Sequence, residues 1–311
     1  MQSHFNLPDG QSQFCALFGK ELGRSPSPAT HTAWARAAGL NLQYSALQTQ
    51  NEGEFHALVD GLRGSLNFRG GNITNPFKTT AMRLDSVGID TSAFRCGAAN
   101  TLYRVGETAG HGWRIANTDL YGCSESLKKI LEEIAVESRS LKVVILGTGA
   151  MMRTCVCALE DLPGFLNTIE TILILGRCNA FDVNFRSVSV PQKKLDLKYA
   201  HFNEVIHIGE KSSNSKAHQH LICINTLPSG TSSEANALAE LSLTKLGLQM
   251  QWTSKHLFCV GYGDLRLHRW AEQKGWQVVN GDLLFEIQAR ASFKLWTGVE
   301  APSLPTALQP T

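Results

Sequence analysis

LKVVILGTGAMMRTCVCALEDL, residues 141–162, runs from unbroken apolar chain into a glycine turn at Gly147–Thr148–Gly149 and out into a segment of helical character. A buried strand, a tight turn and a helix in that order form the local context of a dinucleotide-binding unit. Backbone N–H groups at the start of the helix would face a pyrophosphate, with the positive end of the helix dipole behind them. Gly149 lets the backbone come close to a phosphate, and Ala150 follows it; Met152 stands where the longer glycine fingerprint has its last glycine.

A second apolar strand, TILILGR (171–177), follows the helix. Its end is where the adenosine ribose of a dinucleotide would lie, and a carboxylate there would bind the two hydroxyls of NAD. The chain has Arg177 instead, and the first acid, Asp182, comes five residues later. A guanidinium grips a phosphate from two nitrogens, so the segment favours NADP over NAD. Further strands are predicted at EVIHIG (204–209), HLICINT (220–226) and HLFCVGY (256–262), completing an α/β unit.

Upstream, SESLKKILEEIAVESRSL (124–141) places Leu127, Ile130, Leu131, Ile134 and Ala135 at helical spacing, and this helix is predicted to join two domains. The first third alternates apolar runs (FCALFG, NLQYSAL, GGNITNPFK) with helical ones (SPATHTAWARAAGL, EFHALVDGL), which predicts a second, largely parallel sheet covered by helices. With 311 residues, two domains of ordinary size each have enough chain for a core. A net charge of +2 argues against a polyanion-binding role, so no nucleic acid is expected. Neither a signal-like N-terminus nor a membrane-length apolar run is found, and the expectation is a cytoplasmic protein. Eight cysteines are scattered singly apart from Cys155 and Cys157, without metal-ligand spacing, so no metal is expected.

One lysine needs a reason. In NITNPFKTTAM (72–82), Lys78 sits among small hydroxyl and amide side chains with no acidic neighbour. A lysine taken into a dry cleft needs a carboxylate, and Asp119 in RIANTDLYG is the natural candidate. Asn100 and Thr101 in CGAANTLYR, and Asn117 and Thr118 beside Asp119, form two further polar clusters.

The order of these motifs resembles the shikimate dehydrogenase family over nearly the whole chain, from about residue 15 to Gly298. GRSPSPATH (23–31) is similar to its Ser-x-Ser-Pro motif, NITNPFK to Asn-Val-Thr-x-Pro-Phe-Lys, and GAANTL to Gly-Ala-Val-Asn-Thr-Leu. NTDLYG resembles Asn-Thr-Asp-x-x-Gly, GTGA stands for Gly-Ala-Gly-Gly, and NTLPSG (225–230) for Asn-Ala-Thr-Pro-x-Gly. NGDLLFEIQARASFKLWTG (280–298) is similar to the family's terminal glycine, glutamine and Phe-x-x-Trp-x-Gly series. The chain departs from the pattern at Arg24, Pro26, Thr32, Ala150 and the Gly176–Arg177–Cys178 tip, and it is shorter after Tyr262.

The resemblance implies a two-domain α/β protein. Residues 1–119, completed by C-terminal helices from 280 to 311, would bind the substrate, and a Rossmann-type domain of residues 120–279 would bind NADP. Ser25 and Ser27 would hold the substrate carboxylate, while Thr74, Asn100, Gln288 and Tyr262 would complete its pocket. Lys78 and Asp119 would be catalytic. Gly147, Thr148, Gly149, Ala150, Arg177, Asn225 and Gly281 would contact the cofactor. The implied reaction is reversible reduction of 3-dehydroshikimate to shikimate by a monomer or homodimer. The alternatives are a relative acting on quinate or an amino analogue, and a ligand-binding paralogue with weak turnover.

Overall fold

A computed structural model describes residues 12–23, 25–106, 112–134, 139–162, 169, 171–176, 196–202, 218–227, 233–248, 252–261 and 265–303. The chain divides into two compact units, one of Met1–Asp119 with Ile287–Thr311 and the other of Leu120–Glu286. Both are mixed α/β units.

In the first unit, β1 (Gln13–Gly19), α1 (Ser27–Ala37), β2 (Leu42–Gln48), α2 (Glu52–Arg63) and β3 (Phe68–Ile73) follow the alternation read in the sequence. β4 (Val87–Ile89), α3 (Thr91–Cys96), β5 (Thr101–Arg104) and β6 (Trp113–Ala116) come next, and the sheet order is β2-β1-β3-β5-β6-β4. Strands β1 to β3 are mutually parallel, as is the β4–β6 pair, and β5 runs against both its neighbours. A sheet that is mostly parallel thus carries one reversed strand. At three or four residues, β4, β5 and β6 are too short to show a period of their own.

Phenylalanines dominate the core on one face, with Phe14, Phe18, Phe55, Phe68 and Phe77 buried together. The Phe77 ring stacks on Phe55 with centroids 4.9 Å apart, which anchors the loop that follows β3. Asn51 caps α2 by accepting the Glu54 N–H at 3.0 Å.

Helix α4 (Asp119–Glu133) starts five residues before the stretch that the apolar spacing predicts, so Asp119 is its first residue. β7 (Arg139–Leu146), α5 (Ala150–Glu160), β8 (Thr171–Gly176), β9 (Asp196–His201), β10 (His218–Asn225), α6 (Ser233–Leu248), β11 (Ser254–Cys259), α7 (Leu265–Gln273), β12 (Gln277–Val279) and α8 (Asp282–Thr297) complete the described chain. The predicted strand at 204–209 lies outside the described residues.

The second sheet is parallel throughout, in the order β12-β11-β10-β7-β8-β9. Counted from its first strand this is 3-2-1-4-5-6, the doubly wound order, whose direction of winding reverses between β7 and β10. Both faces of its central strands are buried. Val144, Leu146, Leu221, Cys223 and Leu257 pack with Leu243, Leu246, Leu267 and Ala271 of α6 and α7. Val143, Ile145, Ile222 and Ile224 on the opposite face are buried as well, which is why these strands read as unbroken apolar runs. Among the described residues, no helix is long and apolar enough to cross a membrane.

Candidate active site

Lys78 and Asp119, 41 residues apart, meet in the first unit. The ammonium donates to Asp119 Oδ2 at 2.7 Å, and the two side chains are 15% and 7% exposed. Three chain segments bring them there. Phe77 pins the loop before Lys78, and the Lys78 carbonyl accepts the Ala99 N–H at 2.8 Å. The Thr118 N–H then donates to Asn100 Oδ1 at 2.7 Å, tying the chain before Asp119 to the same segment. A half-buried ion pair of this kind is held by its surroundings, since removing either partner leaves a desolvated charge.

Asn100 also reaches the last helix: its Nδ2 donates to Gln288 Oε1 at 3.4 Å. Lys78, Asp119, Asn100 and Gln288 therefore form one connected group. Thr74 is half-buried at the start of the Lys78 loop, where its N–H donates to the Phe18 carbonyl at 2.8 Å and its methyl fills the space beside Gly19. Ser25 Oγ accepts the Ser27 N–H at 3.3 Å, and Ser27 is buried as the first residue of α1. Among the described residues, no hydrogen bond joins these two serines to the Lys78 group.

On the buried face of α1, His31 is fully buried and stacked against Tyr44 at 4.6 Å and 19°, with Trp34, Trp296 and Phe293 around it. Among the described residues, neither ring nitrogen has a hydrogen-bond partner. Burial drives the imidazole pKa down to about 3, opposed by the nearby Asn72 amide.

The residues beneath Asn100 were not assigned roles from the sequence. Thr101, Thr118 and Ser292 bring three hydroxyls within 2.8–3.1 Å of one another, and Asn72 Nδ2 donates to Ser292 Oγ at 3.0 Å. The available signal was the position of Ser292, one helical turn beyond Gln288 on α8.

The second unit supplies a cradle of backbone. Gly147 has φ +108°, and a Cβ there would lie 2.5 Å from Thr226 Oγ1, at the point where β7 and β10 separate. Gly149 precedes α5 as its N-cap without a side-chain hydrogen bond, and beyond its chain neighbours no atom of the described residues lies within 4 Å of where its Cβ would be. Thr148 and Ala150 are half-buried beside it. Asn225 is buried and turns its Oδ1 back to the Leu227 N–H at 3.2 Å. Gly281 lies against the carbonyls of Val260 and Gly261, where a Cβ would come within 2.7 and 2.8 Å. Arg177 and Tyr262 lie outside the described residues. A helix start whose N-cap is a glycine beside open space suits the pyrophosphate of a dinucleotide, because backbone N–H groups and the helix dipole at that end attract an anion. Among the described residues, no group of three or more histidine, cysteine or acidic side chains could hold a metal ion.

A doubly wound unit with this cradle, and a second α/β unit with a buried lysine–carboxylate pair, define a protein of the two-domain dehydrogenase class. The shikimate dehydrogenase substrate binding domain matches residues 17–102. Shikimate dehydrogenase (NADP(+)) of Methanosarcina acetivorans is 29% identical over 296 residues, covering 92% of this chain and 93% of that protein. The Bacillus subtilis protein of the same name is 29% identical over 289 residues, covering 91% of each. Among solved structures, a Listeria monocytogenes shikimate 5-dehydrogenase in complex with shikimate and NAD has a TM-score of 0.67 at 22% identity, with 96% of each chain covered. The Aquifex aeolicus shikimate dehydrogenase structure gives 0.66 at 22%, covering 95% of this chain and 96% of that one. Over nearly its whole length the chain is similar to proteins named shikimate dehydrogenase, and residues 17–102 match that family's substrate binding domain.

Proposed function

We propose that this protein is an NADP-dependent dehydrogenase that reversibly reduces 3-dehydroshikimate to shikimate in the cytoplasm. The observation that carries the reading is the Lys78–Asp119 ion pair, a positioned proton donor with its charge partner in a family whose relatives bear that activity in their names.

In this reading residues 1–119 and the C-terminal helices from 280 hold the substrate, and residues 120–279 hold NADP. Ser25 and Ser27 bind the substrate carboxylate, Thr74, Asn100 and Gln288 bind its ring oxygens, and Tyr262 closes the pocket. Gly147, Thr148, Gly149, Ala150, Asn225 and Gly281 hold the cofactor, with Arg177 on the phosphate that distinguishes NADP. The reduced cofactor, when bound, supplies the hydride that turns the ketone into a secondary alcohol.

Lys78 donates a proton to the carbonyl oxygen as negative charge develops on it, and its ammonium stabilises that charge before the proton moves. Asp119 keeps the ammonium aimed and compensated, so little reorganisation is needed at the moment of reaction. In the oxidative direction neutral Lys78 takes the hydroxyl proton.

The test is an absorbance assay of the reduced cofactor with purified protein, offered shikimate or quinate with NADP or NAD. Turnover with shikimate and NADP well above the other three combinations is expected. Turnover with quinate alone, or with none of the four, would overturn the assignment.

A further inference from the structure

Two loops of the first unit, one with Ser25 and one with Thr74 and Lys78, meet at a glycine. Gly19 ends β1, and backbone hydrogen bonds flank it: the Thr74 N–H donates to the Phe18 carbonyl at 2.8 Å, and the Lys20 N–H donates to the Asn75 carbonyl at 3.2 Å. A Cβ at Gly19 would lie 2.5 Å from the Thr74 methyl and 2.6 Å from Leu22 Cδ2. The hollow left by the missing side chain is therefore filled by one methyl from each loop. Leu22 belongs to the Ser25 loop, where its carbonyl accepts the Ser25 N–H at 3.1 Å.

Threonine carries its methyl and its hydroxyl on one carbon, roughly 120° apart in each of three staggered wells. With the methyl seated beside Gly19, the chirality of that carbon leaves the hydroxyl a single direction. Among the described residues this hydroxyl has no hydrogen-bond partner, and Thr74 is only half-buried, so a ligand oxygen can meet it. The Thr74 main chain is held on both sides, its N–H by Phe18 and its carbonyl by the Phe77 N–H at 2.9 Å, so the side chain yields first when the hollow is filled. Either of the other two wells takes the methyl out of the hollow and the hydroxyl out of its place.

We infer that Gly19 is a positioning residue: the hollow at its bare Cα seats the Thr74 methyl, and the seated methyl fixes the direction in which the Thr74 hydroxyl is offered to a ring oxygen of the ligand. This rests on the proposal that Thr74 contacts substrate. Unlike Gly147, Gly19 has no positive φ, so an alanine there strains no backbone and acts through the hollow.

In Gly19→Ala the KM for shikimate should rise about fivefold, the equivalent of one net hydrogen bond, with the KM for NADP within twofold of wild type. Thr74→Ser keeps the hydroxyl and removes the methyl. Adding Gly19→Ala to that variant should raise the KM for shikimate less than twofold further, because the new methyl takes the room that the threonine methyl has left. An equal rise in both backgrounds would route the effect through Leu22 and overturn the role, as would an unchanged KM for shikimate in Gly19→Ala or an equal rise in both constants.

A second readout needs no turnover: the three-bond couplings of the Thr74 methyl carbon to its own backbone nitrogen and carbonyl carbon, with the methyl signal assigned by its loss in Thr74→Ser. They should report one well in wild type and a different one in Gly19→Ala. Couplings averaged over wells in wild type, or the same well in both proteins, would overturn the inference. If wild-type protein fails to turn over shikimate, the functional proposal falls by itself, and the couplings still decide whether Gly19 sets the Thr74 side chain.

Discussion

The two units build their sites from different parts of the polypeptide. In the first, side chains from distant segments converge: Lys78 on Asp119, and Asn100 on Gln288 across 188 residues. In the second, the cradle is main chain, an uncapped helix start and glycines with their neighbours pressed close or held away. A site of side chains fails when a functional group changes, whereas a site of backbone fails when volume is added. That difference can be tested directly.

The largest effect belongs to the first unit. Lys78→Ala should lower kcat by about 10²–10⁴-fold, the usual worth of a general acid, and raise the KM for shikimate far less. Asp119→Asn keeps the shape but loses the charge, and it should act in the same way. Steady-state rates of the double variant sharpen the point, because a pair acting as a unit leaves the double no worse than either single. Near-normal turnover of Lys78→Ala would place the chemistry elsewhere.

Next come the two glycines of the turn, equal in chemistry and different in surroundings. Gly147→Ala meets positive φ and Thr226 Oγ1 at 2.5 Å, so it should destabilise the second unit by about 2–4 kcal/mol in urea unfolding. Gly149→Ala meets neither, having φ −81° and open space, and should leave the unfolding midpoint unchanged while raising the KM for NADP. Loss of stability in both variants would mean that the Gly149 side of the turn is filled by structure and has no room kept for a phosphate.

Smaller is the effect expected at Arg177. Arg177→Gln should weaken NADP about 10–100-fold in a binding titration and NAD little, since a hydrogen bond to a charged group is worth roughly 1.5–3 kcal/mol. Equal losses for both cofactors would mark Arg177 as structural.

The smallest is a pH effect from His31. The unfolded chain takes up a proton near the ordinary value of 6.5, whereas the folded imidazole resists protonation down to about 3. Stability contributed by neutral His31 is thus fully present above pH 6.5 and is lost as pH falls toward 3. The loss is about 1.4 kcal/mol per pH unit, or roughly 2 kcal/mol between pH 6.5 and pH 5. His31→Phe should flatten that acid slope. His256 in the second unit, also lowered by burial, to about 4, would keep its own share, so a slope unchanged in His31→Phe would assign acid sensitivity to the second unit.

Legibility in the sequence followed the same divide. The strand, turn and helix around Gly147 could be read because every determinant lies within about 20 residues and repeats with a period. Helix α4 was placed five residues late because its first turn, Asp119 to Cys123, has Leu120, Gly122 and Cys123 buried without the spacing that the later apolar residues show. β9 and β12 went unread, DLKYAH being too polar and QVV too short to declare a strand. The reversal of β5 was beyond reach too, since strand direction depends on pairing partners and local pattern carries no trace of it.

From the sequence alone came the α/β class, the strand–glycine–helix turn, the Lys78–Asp119 pairing and the motif order that marks the family, because these depend on local periodicity and on residue types that few other uses require. The tertiary structure alone decided which way the amides of Asn100 and Gln288 face. Amide orientation is set by counting protons and lone pairs among groups brought together from β3, β5, the start of α4 and α8. Such a count exists only once those groups are buried and within hydrogen-bond reach of one another.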